Sequence, residues 1–346
     1  MVISQLLARS VSQSVYNTQR YAYAGLLYKG VGARAPVEPP AEKTQCNSRT
    51  MTIQRQLLHP RYWPTWLGVA FMFVLAKLPQ RLNHLVGKLL GSLFYYFAGG
   101  RRHVAARNLA LCFPELTEAE RRRLLKKTMQ DQGIGLLEML RTWFTPIDKL
   151  GVELEFVGEE HLDGDGQGVI VLGAHFTFID LSAALIARSK RSDSFYRKQK
   201  NPVIEWVLSR ARGRYGEPIH RRDFKRALKS LRQGNRLFYL PDQDYGRKSA
   251  AFVEFFNNPA ATTVATSTLA KGGRAKVVYV DQQRLEKGRR IRLEAIPLEN
   301  IPSGDPDADA RAVNAVIEEN IRRAPEQYMW VHRRFKTRPE GAAKVY

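Results

Sequence analysis

Two cysteines, Cys46 and Cys112, are all that the 346 residues contain. That excludes a disulfide framework and a cysteine-rich zinc site, and a cytoplasm-facing catalytic body is expected. Acidic residues are scarce as well. Only 33 Asp and Glu stand against 55 Lys and Arg, a formal net charge of +22. An excess of that size implies an anionic partner: nucleic acid, a phospholipid surface or an acidic protein. No uncharged apolar run reaches the roughly 20 residues that cross a bilayer unaided. There is no G-x-S-x-G elbow, so an esterase-type serine nucleophile has no marker. No H-E-x-x-H or H-x3-H exists to hold a catalytic zinc, and no internal repeat is visible. Hydrophobic residues at 44% and charged residues at 25% are ordinary globular values, which excludes pervasive disorder.

What is present falls into three segments. Residues 1–50 carry no acidic residue before Glu38 and end in the Pro-rich stretch Ala35-Pro-Val-Glu-Pro-Pro-Ala41. They read as a disordered extension with a transit-peptide flavour. Residues 51–100 form a hydrophobic region. Tyr62 to Ala76 is uncharged, has Tyr62, Trp63 and Trp66 at one end, and is followed by Lys77, Arg81, Lys88, Arg101 and Arg102. That pattern fits an interfacial aromatic belt with positive-inside flanks, hence a membrane anchor; the alternative is a buried core helix. Residues 101–346 read as an α/β body. Thr117-Glu-Ala-Glu120 is a capping box. Val169–Leu172, Leu237–Leu240, Lys276–Val280 and Ile291–Ile296 read as strands, and 223–233 and 309–323 as helices. The alternation predicts a mixed, largely parallel central sheet flanked by helices, with an N-terminal membrane-associated helix.

Of seven histidines, only His175 has a carboxylate five positions on, at Asp180, and it directly follows a core strand. Ligand-binding and catalytic groups gather at the carboxyl ends of such strands. On one helix, residues five apart would point about 140° apart. The two can meet only if the chain turns between them, with His175 on a strand-end loop and Asp180 opening the next helix. Paired, Asp180 would fix the tautomer and leave the other nitrogen as a base. With no serine nucleophile, the acceptor would attack directly. The competing possibility is that Asp180 only caps the helix and His175 packs on the sheet. Asp163-Gly-Asp-Gly-Gln-Gly168 looks like the front of a calcium loop but has Ala174 at the twelfth position, so it reads as a turn. The cations around Tyr196–Pro202 and Arg210–Arg214 could meet an oxyanion or a sugar phosphate. Asp242 and Asp244 follow a strand near the same crevice. Phe252, Phe255 and Phe256 could wall an acyl channel or simply fill the core.

These pieces together resemble the lipid A biosynthesis lauroyl acyltransferases (HtrB/LpxL), within the lysophospholipid acyltransferase group. The similarity runs from about Met51 to Tyr346. It is carried by Leu57-Leu-His-Pro-Arg-Tyr-Trp63, Arg107-Asn-Leu-Ala-Leu-Cys-Phe-Pro-Glu115, the H-x4-D segment, Tyr196-Arg197 with Asn201-Pro202, Pro241-Asp242 with Asp244-Tyr-Gly246, and the run Ala324 to Gly341. The resemblance implies a bacterial inner-membrane enzyme with a cytoplasmic catalytic domain. It would move a fatty acyl chain, typically laurate, from acidic acyl carrier protein to the hydroxyl of a primary acyl chain on an anionic Kdo-lipid A precursor. Alternatives are a myristoyl or palmitoleoyl chain, a lysophospholipid acceptor, or, more remotely, a membrane-tethered nucleic-acid binder. By position, it makes His175 the base, Asp180 its partner and Arg212 the oxyanion residue. Arg197 and Asn201 would bind substrate, and Asp242 would be a supporting carboxylate. It implies no cofactor, metal or nucleic acid, and a monomer.

Overall fold

The wholly apolar tetrad Val169-Ile-Val-Leu172 forms β2, every residue buried, at the centre of a seven-stranded sheet in the computed structural model. A strand covered on both faces needs such a run. The structure describes residues 55–248 and 250–346; the extension expected over residues 1–50 lies outside the described residues. The sheet runs β1 (Glu153–Val157), β9 (Arg290–Pro297), β8 (Lys276–Leu285), β2, β5 (Arg236–Tyr239), β3 (Ser192–Tyr196), β4 (Pro218–His220). Every pairing is parallel except β8 with β9. The expected mixed, largely parallel sheet is therefore what forms. A separate antiparallel hairpin, β6 (Ala250–Phe255) and β7 (Asn258–Thr263), stands beside it.

The helices are α1 (Trp63–Ala76), α2 (Gln80–Phe97), α3 (Gly99–Cys112), α4 (Glu118–Phe144), α5 (Ile179–Ile186), α6 (Pro202–Arg212), α7 (Phe224–Arg232), α8 (Ala265–Gly273) and α9 (Pro306–Arg323). α4 starts at the expected capping box: Thr117 Oγ1 accepts from the Glu120 amide, and the Glu120 carboxylate accepts from the Thr117 amide at 2.8 Å. The Asp163–Gly168 stretch is a turn, with Asp163 on Arg236 and Asp165 on Lys276.

The described residues fall into two compact units, 55–70 and Phe71–Tyr346. In the first, the Trp66 indole donates to the Leu57 carbonyl at 2.7 Å. The second takes in α2, α3 and the sheet with its helices. Among the described residues no helix is long and apolar enough to cross a membrane. α1 has 14 residues, about 21 Å of helix against a hydrocarbon core of about 30 Å.

Asn83, Gly87 and Gly91 recur four apart on α2 and are buried. Gly87 and Gly91 lie against α4, where a Cβ on Gly133 would come within 2.1 Å of the Gly87 carbonyl oxygen. Backbone thus packs on backbone. Gly133→Ala is expected to cost about 1–3 kcal/mol through overpacking, read as a lowered thermal midpoint. Gly68→Ala, with open space around the added methyl, should leave the midpoint unchanged or raise it. On the opposite side α2 exposes Leu82, Leu85, Leu89, Leu93 and Phe97, the last at 83%.

Candidate active site

Parallel register explains why two distant residues meet. β2 pairs with β5 so that Leu172 stands opposite Tyr239. The Gly173 amide extends the ladder to the Tyr239 carbonyl at 3.1 Å. His175 is three residues beyond Leu172, and Asp242 three beyond Tyr239. They arrive together at the carboxyl edge of the two central strands.

The contact is two-pronged. The His175 amide donates to Asp242 Oδ2 at 2.9 Å, and its Nδ1 lies 2.6 Å from Asp242 Oδ1. The buried Tyr328 hydroxyl donates to Oδ2 at 2.9 Å. Burial by itself would push the Asp242 carboxyl up, but the His175 charge and these hydrogen bonds outweigh it and hold it at about 2. An ionised carboxylate facing Nδ1 requires the proton on Nδ1. Nε2 is then the basic nitrogen. Burial, reinforced by Asp242, pushes the Tyr328 phenol far up, so it remains a donor.

The partner expected for His175 is thus corrected. Asp180 lies in the first turn of α5 and accepts from Arg212 Nε at 3.2 Å and Nη2 at 3.0 Å. The physical reason is competition at close range. Asp242 offers His175 a buried carboxylate held by both its amide and its ring, while the guanidinium at the end of α6 takes Asp180. The H-x4-D motif supplies two halves of two pairs. Arg197 follows β3 and is exposed. Asn201 caps α6, its side-chain oxygen accepting from the amides of Val203 at 3.0 Å and Ile204 at 3.3 Å. Phe255 and Phe256 are core residues at 0% and 2% exposure, which decides for packing over an acyl channel at those two positions.

Sequence reasoning missed what holds the loop. Arg284, on β8, is buried and binds three groups at once. It pairs with Asp131, donates to Glu138 Oε2 from Nε at 3.1 Å and Nη2 at 2.8 Å, and donates to Thr177 Oγ1 at 2.9 Å. The Thr177 hydroxyl donates in turn to Asp131. The guanidinium also lies 4.7 Å from the centre of the Phe178 ring. Burial would lower Arg284, but Asp131 and Glu138 together raise it, so it stays charged. From the other side the carboxyl-terminal run straps the loop. The Met329 amide donates to the His175 carbonyl at 2.9 Å, and the Thr177 amide to the Gln327 carbonyl at 2.9 Å. Asp131 and Glu138 are seven apart on α4, two turns along one face. Buried acids at that spacing were the one available signal.

A histidine whose Nδ1 faces a buried carboxylate, at the carboxyl edge of a parallel sheet, leaves Nε2 able to take a proton from an attacking group, which is the arrangement of a group-transfer site. Residues 50–337 match the family of bacterial lipid A biosynthesis acyltransferases. The chain is 38% identical over 296 residues to a lipid A biosynthesis lauroyltransferase of Escherichia coli, covering 84% of this chain and 97% of that one. It is 34% identical over 298 residues to the palmitoleoyltransferase of the same organism, at 84% and 97% coverage. It is 32% identical over 295 residues to the myristoyltransferase, at 83% and 91%. The chain belongs to the bacterial lipid A biosynthesis acyltransferase (HtrB/LpxL) family and is an acyltransferase.

Proposed function

We propose that the enzyme transfers laurate from acyl carrier protein to the hydroxyl of a primary acyl chain on a Kdo-bearing lipid A precursor. The observation that carries the chemistry is the His175–Asp242 pair. His175 Nε2 takes the hydroxyl proton as the oxygen attacks the thioester carbonyl. The C–O bond forms, the tetrahedral oxyanion collapses, and the C–S bond breaks. The imidazolium returns its proton to the departing thiolate, giving ester and free thiol, with Asp242 stabilising the imidazolium throughout. Arg212, oriented by Asp180, meets the oxyanion. The thioester is already activated, so the reaction calls for no cofactor. Laurate is favoured because the lauroyltransferase shares more identity with this chain than the palmitoleoyl and myristoyl enzymes do.

A bacterial inner membrane is the proposed location, with the catalytic body on its cytoplasmic side. Residues 43–114 contain no Asp or Glu. Within that stretch α2 turns a leucine-rich face outward, with Arg81 and Lys88 on the same helix. A helix of this kind lies in the interface of an anionic leaflet rather than across it. The purified protein should acylate a tetra-acylated Kdo-lipid A precursor from lauroyl carrier protein faster than from the myristoyl or palmitoleoyl forms. The product can be identified by mass spectrometry. Transfer only to a lysophospholipid would reject the proposed acceptor.

A further inference from the structure

We infer that the far edge of the sheet carries a docking lip for the acidic protein that delivers the acyl thioester. This rests on the donor proposed above and adds the surface that receives it. β3 and β4 end side by side, Tyr196 opposite His220, on the same edge of the parallel sheet as His175 and Asp242. The Arg221 amide donates to the Tyr196 carbonyl at 3.0 Å, tying the two strand-end loops together. From these loops and the start of α7 come Arg197, Lys198, Lys200, Arg221, Arg222 and Lys225, all exposed.

The neighbouring carboxylates are already occupied. Asp223 caps α7 by accepting from the Arg226 amide at 3.0 Å, and Glu217 pairs with Arg226. Glu205 accepts from the Tyr196 hydroxyl and from the Gln199 amide. Glu217 is neutralised by Arg226, which is not one of the six lip cations, and those six outnumber the charged Asp223 and Glu205, so the lip carries net positive charge. At its centre Phe224 is 37% exposed and braced on Phe195, 5.6 Å between ring centres. A rigid aromatic amid cations is the make-up of a protein-binding patch rather than of a bare phosphate site.

Strand order separates this lip from the membrane-facing helix. α2 is tied to the β8–β9 connection, where Gln80 Nε2 donates to the Gly288 carbonyl at 2.9 Å. β8 lies on one side of β2, while β5, β3 and β4 lie on the other. At about 4.8 Å per strand, β4 is about 14 Å from β2. The lipid acceptor thus enters from one flank of His175, and the protein-borne donor reaches it from the other. An acidic protein steered onto the lip would place a flexible thioester arm within reach of Nε2.

The test uses the full chain with Arg221→Glu, Arg222→Glu and Lys225→Glu combined, none of which contacts the proposed catalytic groups. Two donors are compared: lauroyl carrier protein and S-lauroyl-pantetheine, which lacks the protein. The KM for the carrier-borne donor should rise about tenfold or more and lose its salt dependence. Rates with the pantetheine donor and the KM for the glycolipid should stay unchanged. Arg221→Lys, Arg222→Lys and Lys225→Arg combined should behave as wild type. An unmoved carrier KM would overturn the lip alone. So would a rise confined to the glycolipid KM, which would make the lip an acceptor site, or equal losses with both donors. Wild-type protein that used pantetheine but not the carrier would overturn the proposed donor and the lip together.

Discussion

His175→Ala is expected to lower kcat by about 10³-fold or more while the protein stays folded. The loss should appear equally in kcat and kcat/KM, because proton removal is an interaction made in the transition state. Asp242→Asn is the more discriminating change. Asparagine keeps the shape but presents an amide to a ring nitrogen that now donates to a carboxylate. It disfavours the required tautomer and removes the charge that stabilises the imidazolium, so a loss of roughly 10²–10⁴-fold is expected. Asp180→Asn should act differently. It frees Arg212 from its anchor and should reproduce the effect of Arg212→Ala, with little further loss in the double variant. Steady-state kinetics on the four variants and the double decides between the two pairings. If Asp242→Asn were near wild type while Asp180→Asn abolished turnover, Asp180 would be the partner of His175 after all.

Arg284→Ala is expected to destabilise the fold by about 3–5 kcal/mol. It leaves Asp131 and Glu138 buried without their counter-ion. Burial already pushes the Glu138 carboxyl up despite Arg284, so without the guanidinium it should fold protonated. Denaturant melts should therefore show the variant's deficit shrinking as pH falls from 8 to 5. The sign follows from linkage. A carboxyl whose folded-state pKa is raised favours the native state at low pH, and that contribution is lost as pH rises through the folded value. Equal stability of wild type and variant at pH 7 would remove the network from the account of the fold. Thr177→Val probes its link to the site more gently. It should lower kcat more than it raises KM, and Thr177→Ser should restore most of the loss. A purely structural hydroxyl would shift stability without that split.

Particular elements show where sequence was sufficient. β2 could be read from four consecutive apolar residues, and α4 from its capping box, because those patterns are local and have few competing solutions. β3 (Ser-Asp-Ser-Phe-Tyr) and the three-residue β4 could not. One is polar and the other too short for any periodicity; β3 becomes a strand because β5 offers it an edge, and β4 because β3 does. The same division runs through the site. His175 was legible from its place after a core strand, and Arg212 and Asp242 from the family resemblance. Asn201 before Pro202 carried its own helix-capping signal beneath the resemblance.

Residue patterns alone were enough for the parallel α/β body, the family, the place of His175 just beyond a core strand and the excess of positive charge. These follow from composition, from runs of a few residues, and from motifs whose chemistry is fixed by residue type. Which carboxylate the imidazole faces is legible only in three dimensions. Asp180 is five residues away along the chain and Asp242 is 67, yet adjacent parallel strands in register bring the distant one to 2.6 Å. Strand pairing sets that distance, and a one-dimensional spacing carries no record of which strands will lie side by side.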